Sequence, residues 1–346
     1  PLPVSYRVNG TAKILHPGYQ KATLVKVEQN TADTKTYFFE SERPFYFRAG
    51  QYLTLGCKVG DSFVSRPYAI SSAPKAALNK QVSVTVKKCG FFSGYLFDNA
   101  KPGDVFTLGD PSGEFCYEPI KDSKQVLALA GGSGITPFYS MAQSIADGTS
   151  DFSLTILYGA KTEKDLIFKA ELDALASDKI KVVYVLSNEK KEGYEHGFIG
   201  ADLIRKYTSG DFTVMMCGPQ AMYAFADKEL QAFNLPLRRV KKEANCVGVR
   251  DVKDVKYRLT VHMGFDVYKV PASTCETVLT AMERAGINAP SKCRAGGCGF
   301  CHSRLVSGKF SIAGADKRRL ADVKFGYVHP CCTYPDSDME IVVPKA

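Results

Sequence analysis

Between residues 21 and 118, apolar and polar positions alternate in short runs. Ala22-Thr23-Leu24-Val25-Lys26-Val27, Thr36-Tyr37-Phe38-Phe39 and Gln81-Val82-Ser83-Val84-Thr85-Val86 fit the two-residue period of half-buried strands. Turn signals such as Pro102-Gly103-Asp104 separate them, and the succession predicts an antiparallel β-barrel. After Pro119 the pattern changes. Val126-Leu127-Ala128-Leu129-Ala130 is an unbroken apolar run, as a strand buried on both faces requires, and it ends in Gly131-Gly132-Ser133-Gly134. Helical segments at about 137–147 and 168–177 then alternate with strands at 154–158, 181–186 and 213–217, which predicts a parallel α/β sheet. A polar, charged stretch over 239–256 reads as a linker. Strand candidates at 257–262 and 267–271 follow, then a helix over 275–285. The prediction is therefore multidomain: a β-barrel over 20–118, an α/β domain over 119–238, the linker, and a C-terminal domain over 257–346. No internal repeat is evident.

Composition narrows the class. With 45% hydrophobic and 23% charged residues among 346, the chain reads as an ordinary soluble globular protein. No apolar run approaches the length of a membrane span. The opening Pro1-Leu2-Pro3-Val4 lacks the basic and apolar regions of a signal peptide. Eleven cysteines are too sparse for a disulfide scaffold in a chain this long and suggest a reducing compartment, so a cytoplasmic location is expected. A net charge of +9 suits either a nucleic acid or an acidic protein partner. The absence of any nucleic-acid motif favours the protein; Lys317-Arg318-Arg319, the densest basic run, reads as a solvated face.

The chemistry concentrates near the C-terminus. Cys293, Cys298 and Cys301 are spaced C-x4-C-x2-C in a glycine-rich loop, and Cys331 follows thirty residues later. This is the plant-type arrangement for a [2Fe–2S] cluster, in which four thiolates hold two tetrahedral irons. Zinc is the competing reading of any C-x2-C pair, but a glycine-rich loop with one remote cysteine fits a zinc finger poorly. Upstream, Arg66-Pro67-Tyr68-Ala69-Ile70-Ser71-Ser72 sets a cation beside an aromatic ring, as a phosphate and a flavin ring need. Gly90-Phe91-Phe92-Ser93 offers backbone and hydroxyl donors to a pyrophosphate. Gly131, Gly132, Gly134 and Thr136 form a βα turn that admits a dinucleotide at a helix N-terminus, though not as the G-x-G-x-x-G fingerprint. Cys217-Gly218-Pro219 ends a later strand where parallel sheets place ligands.

Taken in this order, these motifs resemble the ferredoxin–NADP reductase superfamily, and the cysteine loop makes the chain similar to its oxygenase-reductase members with a C-terminal ferredoxin. The resemblance covers about residues 20–346. It implies a flavin-binding barrel, a pyridine-nucleotide domain and a β-grasp ferredoxin domain. It further implies that Arg66 and Tyr68 contact flavin phosphate and ring, that Ser93 contacts phosphate, and that the segment from Gly131 to Thr136 lines the nucleotide crevice. Cys217 should lie near the reacting nicotinamide and flavin atoms. The fourth ligand should be Cys331, because the family pattern Cys-Gln-x-x-Pro aligns Cys332 with the glutamine.

Three departures from that pattern stand out. Ala69 replaces the Ser or Thr that usually follows the flavin tyrosine, which leaves Ser71 as a neighbouring hydroxyl. Glu243-Ala244-Asn245 lacks the aromatic of the usual Glu-x-aromatic segment. Ser187-Asn188 and Phe198 replace the Ser-Arg pair and tyrosine that hold a 2′-phosphate, which favours NADH, while Lys190 and Lys191 keep NADPH open.

The implied activity is NAD(P)H:acceptor oxidoreduction through FAD, with FMN as the alternative and Tyr117 as a candidate adenine-stacking ring, and then through the cluster to a protein. A redox-sensing or binding module built on the same folds is the second reading. Residues 256–345 hold 13 Lys/Arg against 8 Asp/Glu, so the expected acceptor is acidic.

Overall fold

A computed structural model describes residues 7–243, 250–312 and 314–345. The chain divides into two compact units, one formed by residues up to Leu55 with Tyr68–Glu243, the other by Gly56–Pro67 with the chain after Glu243.

Six strands make the first sheet: β1 (Gln20–Thr31), β2 (Thr34–Ser41), β3 (Tyr52–Val59), β4 (Ser62–Ala69), β5 (Gln81–Lys87) and β6 (Val105–Leu108), in the order β4-β3-β6-β1-β2-β5. The β1–β2, β1–β6 and β2–β5 pairs are antiparallel, as the alternating pattern predicts. Leu24, Tyr37, Phe39, Leu53 and Val84 are buried in this sheet, and the polar residues between them in β1 face outward.

A second sheet follows, with β7 (Gln125–Gly131), β8 (Ser153–Ala160), β9 (Ile180–Leu186), β10 (Glu195–His196), β11 (Thr213–Cys217) and β12 (Val240–Lys242) in the order β10-β9-β8-β7-β11-β12. All its pairs are parallel. The unbroken apolar run of β7 is explained by two cores: Val126, Ala128 and Ala130 pack on one face, Leu127 and Leu129 on the other.

Strand β12 lies inside the stretch whose sequence reads as a linker. Val240, Lys241 and Lys242 pair with Val214, Met215 and Met216. The charges hid this strand, yet each finds a partner. Lys241 Nζ donates to the Cys116 carbonyl at 3.0 Å and to the Asp122 carboxylate, and Lys242 Nζ donates to Asp227 at 2.7 Å. Residues 244–249, with Cys246 and the Ala244-Asn245 part of the Glu-x-aromatic segment, lie outside the described residues.

The C-terminal sheet contains β13 (Lys256–Met263), β14 (Asp266–Ser273), β15 (Ser303–Ser307), β17 (Tyr327–Val328) and β19 (Met339–Val343), ordered β14-β13-β19-β15-β17. A small second sheet pairs β16 (Phe310–Ile312) with β18 (Thr333–Pro335). The helix Val278–Arg284 starts later than its apolar pattern predicts, because Thr277 caps it by accepting the Thr280 amide at 3.2 Å. Val278, Leu279 and Met282 of this helix pack with Leu259, Val261 and Ile341, and the same core takes in Cys301, Cys331 and Cys332.

Candidate functional site

The order of the parallel strands reverses at β7, with β8 on one side and β11 on the other. Connections leave such a point toward opposite faces and open a crevice at the C-terminal strand ends. Gly131 ends β7, opposite Gly159 of β8, while Cys217 ends β11, opposite Ala130. The glycines here are set by close packing. A Cβ on Gly134 would lie 2.0 Å from the Cys217 carbonyl oxygen, and one on Gly131 would lie 2.8 Å from Pro219 Cδ and Met222 Sδ. Gly132 adopts a left-handed φ of +53°. Thr136 donates to the Ser133 carbonyl at 2.9 Å and opens the helix Thr136–Ala146, with Pro137 in its first turn. The structure thus brings Gly131, Gly132, Gly134, Thr136, Cys217, Gly218 and Pro219 to one edge.

Cys217 is 8% exposed. Burial first, and the Glu243 carboxylate second, push its thiol far above the ordinary thiol range. The group at the edge is therefore a neutral thiol at pH 7. Glu243 is fixed beside it. Its amide donates to the Met216 carbonyl at 3.0 Å, and Tyr223 Oη donates to its carbonyl at 3.2 Å while accepting the Gly218 amide at 3.3 Å. Sequence reading named Glu243 only as the start of the Glu-x-aromatic segment and missed both its place at this edge and Tyr223. The available signal was the three-residue strand just before Glu243, which its lysines disguised.

At the neighbouring edge, Ser187 Oγ donates to Asn188 Oδ1 at 3.0 Å. Lys191 is ion-paired with Glu163, which also accepts from Tyr194. The Glu163 amide donates to Glu189 at 2.9 Å, so two carboxylates stand near Ser187 and Asn188. Phe198 is 75% exposed.

The residues assigned to flavin are divided. Arg66 donates to both carboxylate oxygens of Glu283, at 3.2 and 3.1 Å, and Glu283 also pairs with buried Arg294 of the cysteine loop. One acid thus sits between two arginines. Tyr68 and Ala69 are half-buried at the end of β4. Ser71 is fully buried, with its hydroxyl bonded to Ser83 Oγ at 2.7 Å and its carbonyl held by Gln143 at 2.7 Å. Its hydroxyl serves barrel packing. Ser93 Oγ accepts the Gly90 and Cys89 amides at 2.9 and 3.0 Å, shaping the start of the helix Phe91–Asn99. Helix-start amides there suit a phosphate by charge and direction. Tyr117 stacks on Phe152 at 4.3 Å and lines a cavity of about 400 Å³ with Arg48 and Lys124. That cavity adjoins the starts of β7 and β8, at the opposite end of the strands from the crevice.

In the cysteine loop the thiols contact one another. The free Cys293 thiol interacts with those of Cys298 and Cys331, and the Cys301 thiol with that of Cys331. These contacts hold the Cys293 and Cys301 thiols below the ordinary range and push Cys298 and Cys331 above it. Among the described residues no group of three or more His, Cys, Asp or Glu side chains is spaced to hold a single metal ion. Pairing of sulfurs is what two irons, each needing two thiolates, require. Backbone donors add to the fit: Ala295 N lies 3.4 Å from Cys293 Sγ and Phe300 N 3.5 Å from Cys298 Sγ. His329, fully buried just before Pro330-Cys331, ties the two halves together. Its Nδ1 lies 2.7 Å from the Gly296 carbonyl and its Nε2 2.9 Å from Asp322. Of the four cysteines, Cys298 is exposed.

Comparison with known proteins adds three family matches in chain order. Residues 21–117 match an oxidoreductase FAD-binding domain, 128–228 an oxidoreductase NAD-binding domain, and 266–336 a 2Fe-2S iron-sulfur cluster binding domain. The chain is 30% identical over 315 residues to the ferredoxin reductase component of 3-ketosteroid-9-alpha-monooxygenase from Mycobacterium tuberculosis, covering 86% of this chain and 85% of the relative. It is 29% identical over 320 residues to the NADH oxidoreductase HCR of Escherichia coli, covering 90% and 94%. Among solved structures, phthalate dioxygenase reductase superposes with a TM-score of 0.71 at 20% identity, over 95% of this chain and 98% of that one.

Proposed function

The chain belongs to the ferredoxin–NAD(P) reductase superfamily, in the branch with a C-terminal plant-type [2Fe–2S] domain, and from that membership we propose that it carries electrons from NADH to an oxygenase component. It is an NAD(P)H-dependent oxidoreductase of ferredoxin type that uses FAD and a [2Fe–2S] cluster to pass electrons to an acceptor. When bound, FAD accepts a hydride and the cluster relays single electrons.

The observation that carries the reading is the edge where Gly131, Gly134 and Cys217 meet at the reversal of strand order. In this reading the glycine turn lets the dinucleotide backbone approach the helix start. Neutral Cys217 packs against the nicotinamide without adding a charge beside the moving hydride. Glu243, held by Tyr223 and Met216, fixes the polarity of that wall. Arg66 and the Gly90–Ser93 helix start take the flavin phosphates, and Tyr68 covers the ring beside Ala69. Cys293, Cys298, Cys301 and Cys331 hold the cluster. The domain limits follow the motifs, with the nucleotide domain extended to Glu243 by β12.

Preference for NADH is supported by the acidic edge. Lys191 is committed to Glu163, and Glu189 stands beside it, so a 2′-phosphate would meet carboxylates and no arginine fork. The acceptor is expected to be acidic, and relatives named as reductase components of monooxygenases indicate its class. No helix among the described residues is long and apolar enough to cross a membrane.

Stopped-flow mixing of the anaerobic holoprotein with NADH or NADPH tests this. Rapid flavin bleaching with NADH, slower bleaching with NADPH, and subsequent loss of cluster absorbance are expected. Binding of either nucleotide without bleaching would reject the reductase and favour the sensing module.

A further inference from the structure

We propose that Cys332 is a reserve ligand for the cluster, a second thiol in the distal segment that takes over the coordination made by Cys331. The inference rests on the cysteine-loop reading above and goes beyond its four ligands. In a regular strand, adjacent side chains point to opposite faces, so neighbouring cysteines do not serve one site. Here the chain turns instead. The Cys332 amide donates to the His329 carbonyl at 2.9 Å, and both cysteines precede β18.

Both sulfurs consequently face the loop. Cys331 contacts Cys293, Cys301 and Cys332. Cys332 is 3% exposed, and a Cβ on Gly296 would lie 2.9 Å from its Sγ. The thiol therefore rests on the backbone of the loop that carries Cys293 and Cys298. Gly296 itself has a left-handed φ of +79°, which suits glycine and leaves that space to sulfur.

What holds Cys332 away from ligation is slight. Its thiol donates to the His329 carbonyl at 3.4 Å, a weak S–H bond. The backbone around it is anchored on every side. Thr333 Oγ1 donates to the same carbonyl at 2.9 Å, the Leu279 amide donates to the Pro330 carbonyl at 3.0 Å, and His329 Nδ1 meets the Gly296 carbonyl. A side-chain rotation, with the backbone in place, separates the two arrangements. On takeover the Cys332 sulfur would bind the iron that Cys331 releases, and the Cys332 proton would pass through water to the freed Cys331 thiolate. One thiolate replaces another, so neither charge nor oxidation state changes.

The test compares the full-length protein with C331A, C332A and C331A/C332A, each purified without oxygen and reconstituted with iron and sulfide. Alanine is used because serine would offer its own oxygen ligand. Iron and sulfide per chain are measured with the electron paramagnetic resonance spectrum of the dithionite-reduced protein, and flavin content reports folding. The expected result is full iron and sulfide in C331A with displaced g values, an unchanged spectrum in C332A, and loss of the cluster in C331A/C332A with flavin retained. A C331A protein that keeps its flavin but holds no cluster overturns the reserve role while leaving the four-ligand reading intact. Loss of the cluster in C332A alone also overturns it, by making Cys332 the resident ligand. Failure of the unmodified protein to take up two irons would instead sink the underlying cluster assignment.

Discussion

At Cys217 the informative property is its proton. A free thiol ionises near pH 8.5 (roughly) in water. Burial and the Glu243 carboxylate both favour the neutral form, so the folded thiol stays protonated above that pH. Flavin reduction by NADH should therefore show no thiol limb between about pH 7 and 9. A rate that breaks near the free-thiol value would mean that Cys217 ionises at the edge. Cys217→Ala should slow flavin reduction by about tenfold, or about 1.4 kcal/mol, in single-turnover mixing. Cys217 was legible in the sequence because Cys-Gly-Pro closes an apolar strand. The contact of Arg66 with Glu283 was not, since 217 positions separate them and no local pattern links a strand end to that helix.

The glycine turn belongs to the scale of elements. Gly134→Ala would drive a Cβ to within 2.0 Å of the Cys217 carbonyl, a backbone atom that yields only if β11 shifts. A loss of about 1–3 kcal/mol is expected for such overpacking, read as a lower urea midpoint. Gly132→Ala meets nothing within 4 Å, and its cost comes from the left-handed backbone alone, about 1 kcal/mol. If both variants lost equal stability, the close approach would not be the constraint. Elements with a strong period were readable: the alternating barrel strands and the doubly buried β7 stand where the pattern put them. The helix after β14 was overextended, because its apolar pattern continues past the Thr277 cap. Strand β12 was missed because its lysines find partners on other segments, and composition cannot report such partners.

For the whole molecule, the consequential asymmetry is charge around the exposed Cys298. Lys292 Nζ lies 4.8 Å above the Phe300 ring, and Arg319 approaches Gly299. Phe300 and Leu320 are exposed nearby in sequence to these cations. Cations beside Phe300 and Gly299 suit an acidic acceptor. Electron delivery to that acceptor should slow as ionic strength rises from about 0.01 to 0.5 M, because the screening length falls from about 30 Å to a few ångströms. Flavin reduction by NADH, measured in the same solutions, should change far less. Salt-independent delivery would remove the acidic partner from the reading. Domain order was legible from motif order, whereas the grouping of Gly56–Pro67 with the C-terminal unit was not, because that hairpin carries no composition break.

Glu283 gives this arrangement a genetic consequence. A single codon supplies the counter-charge to an arginine assigned to the flavin and to another inside the cluster loop. In this reading a substitution there would remove, at one position, the partner of an arginine assigned to the flavin and of one in the cysteine loop. A neutral residue at 283 would leave both guanidinium groups without this counter-charge.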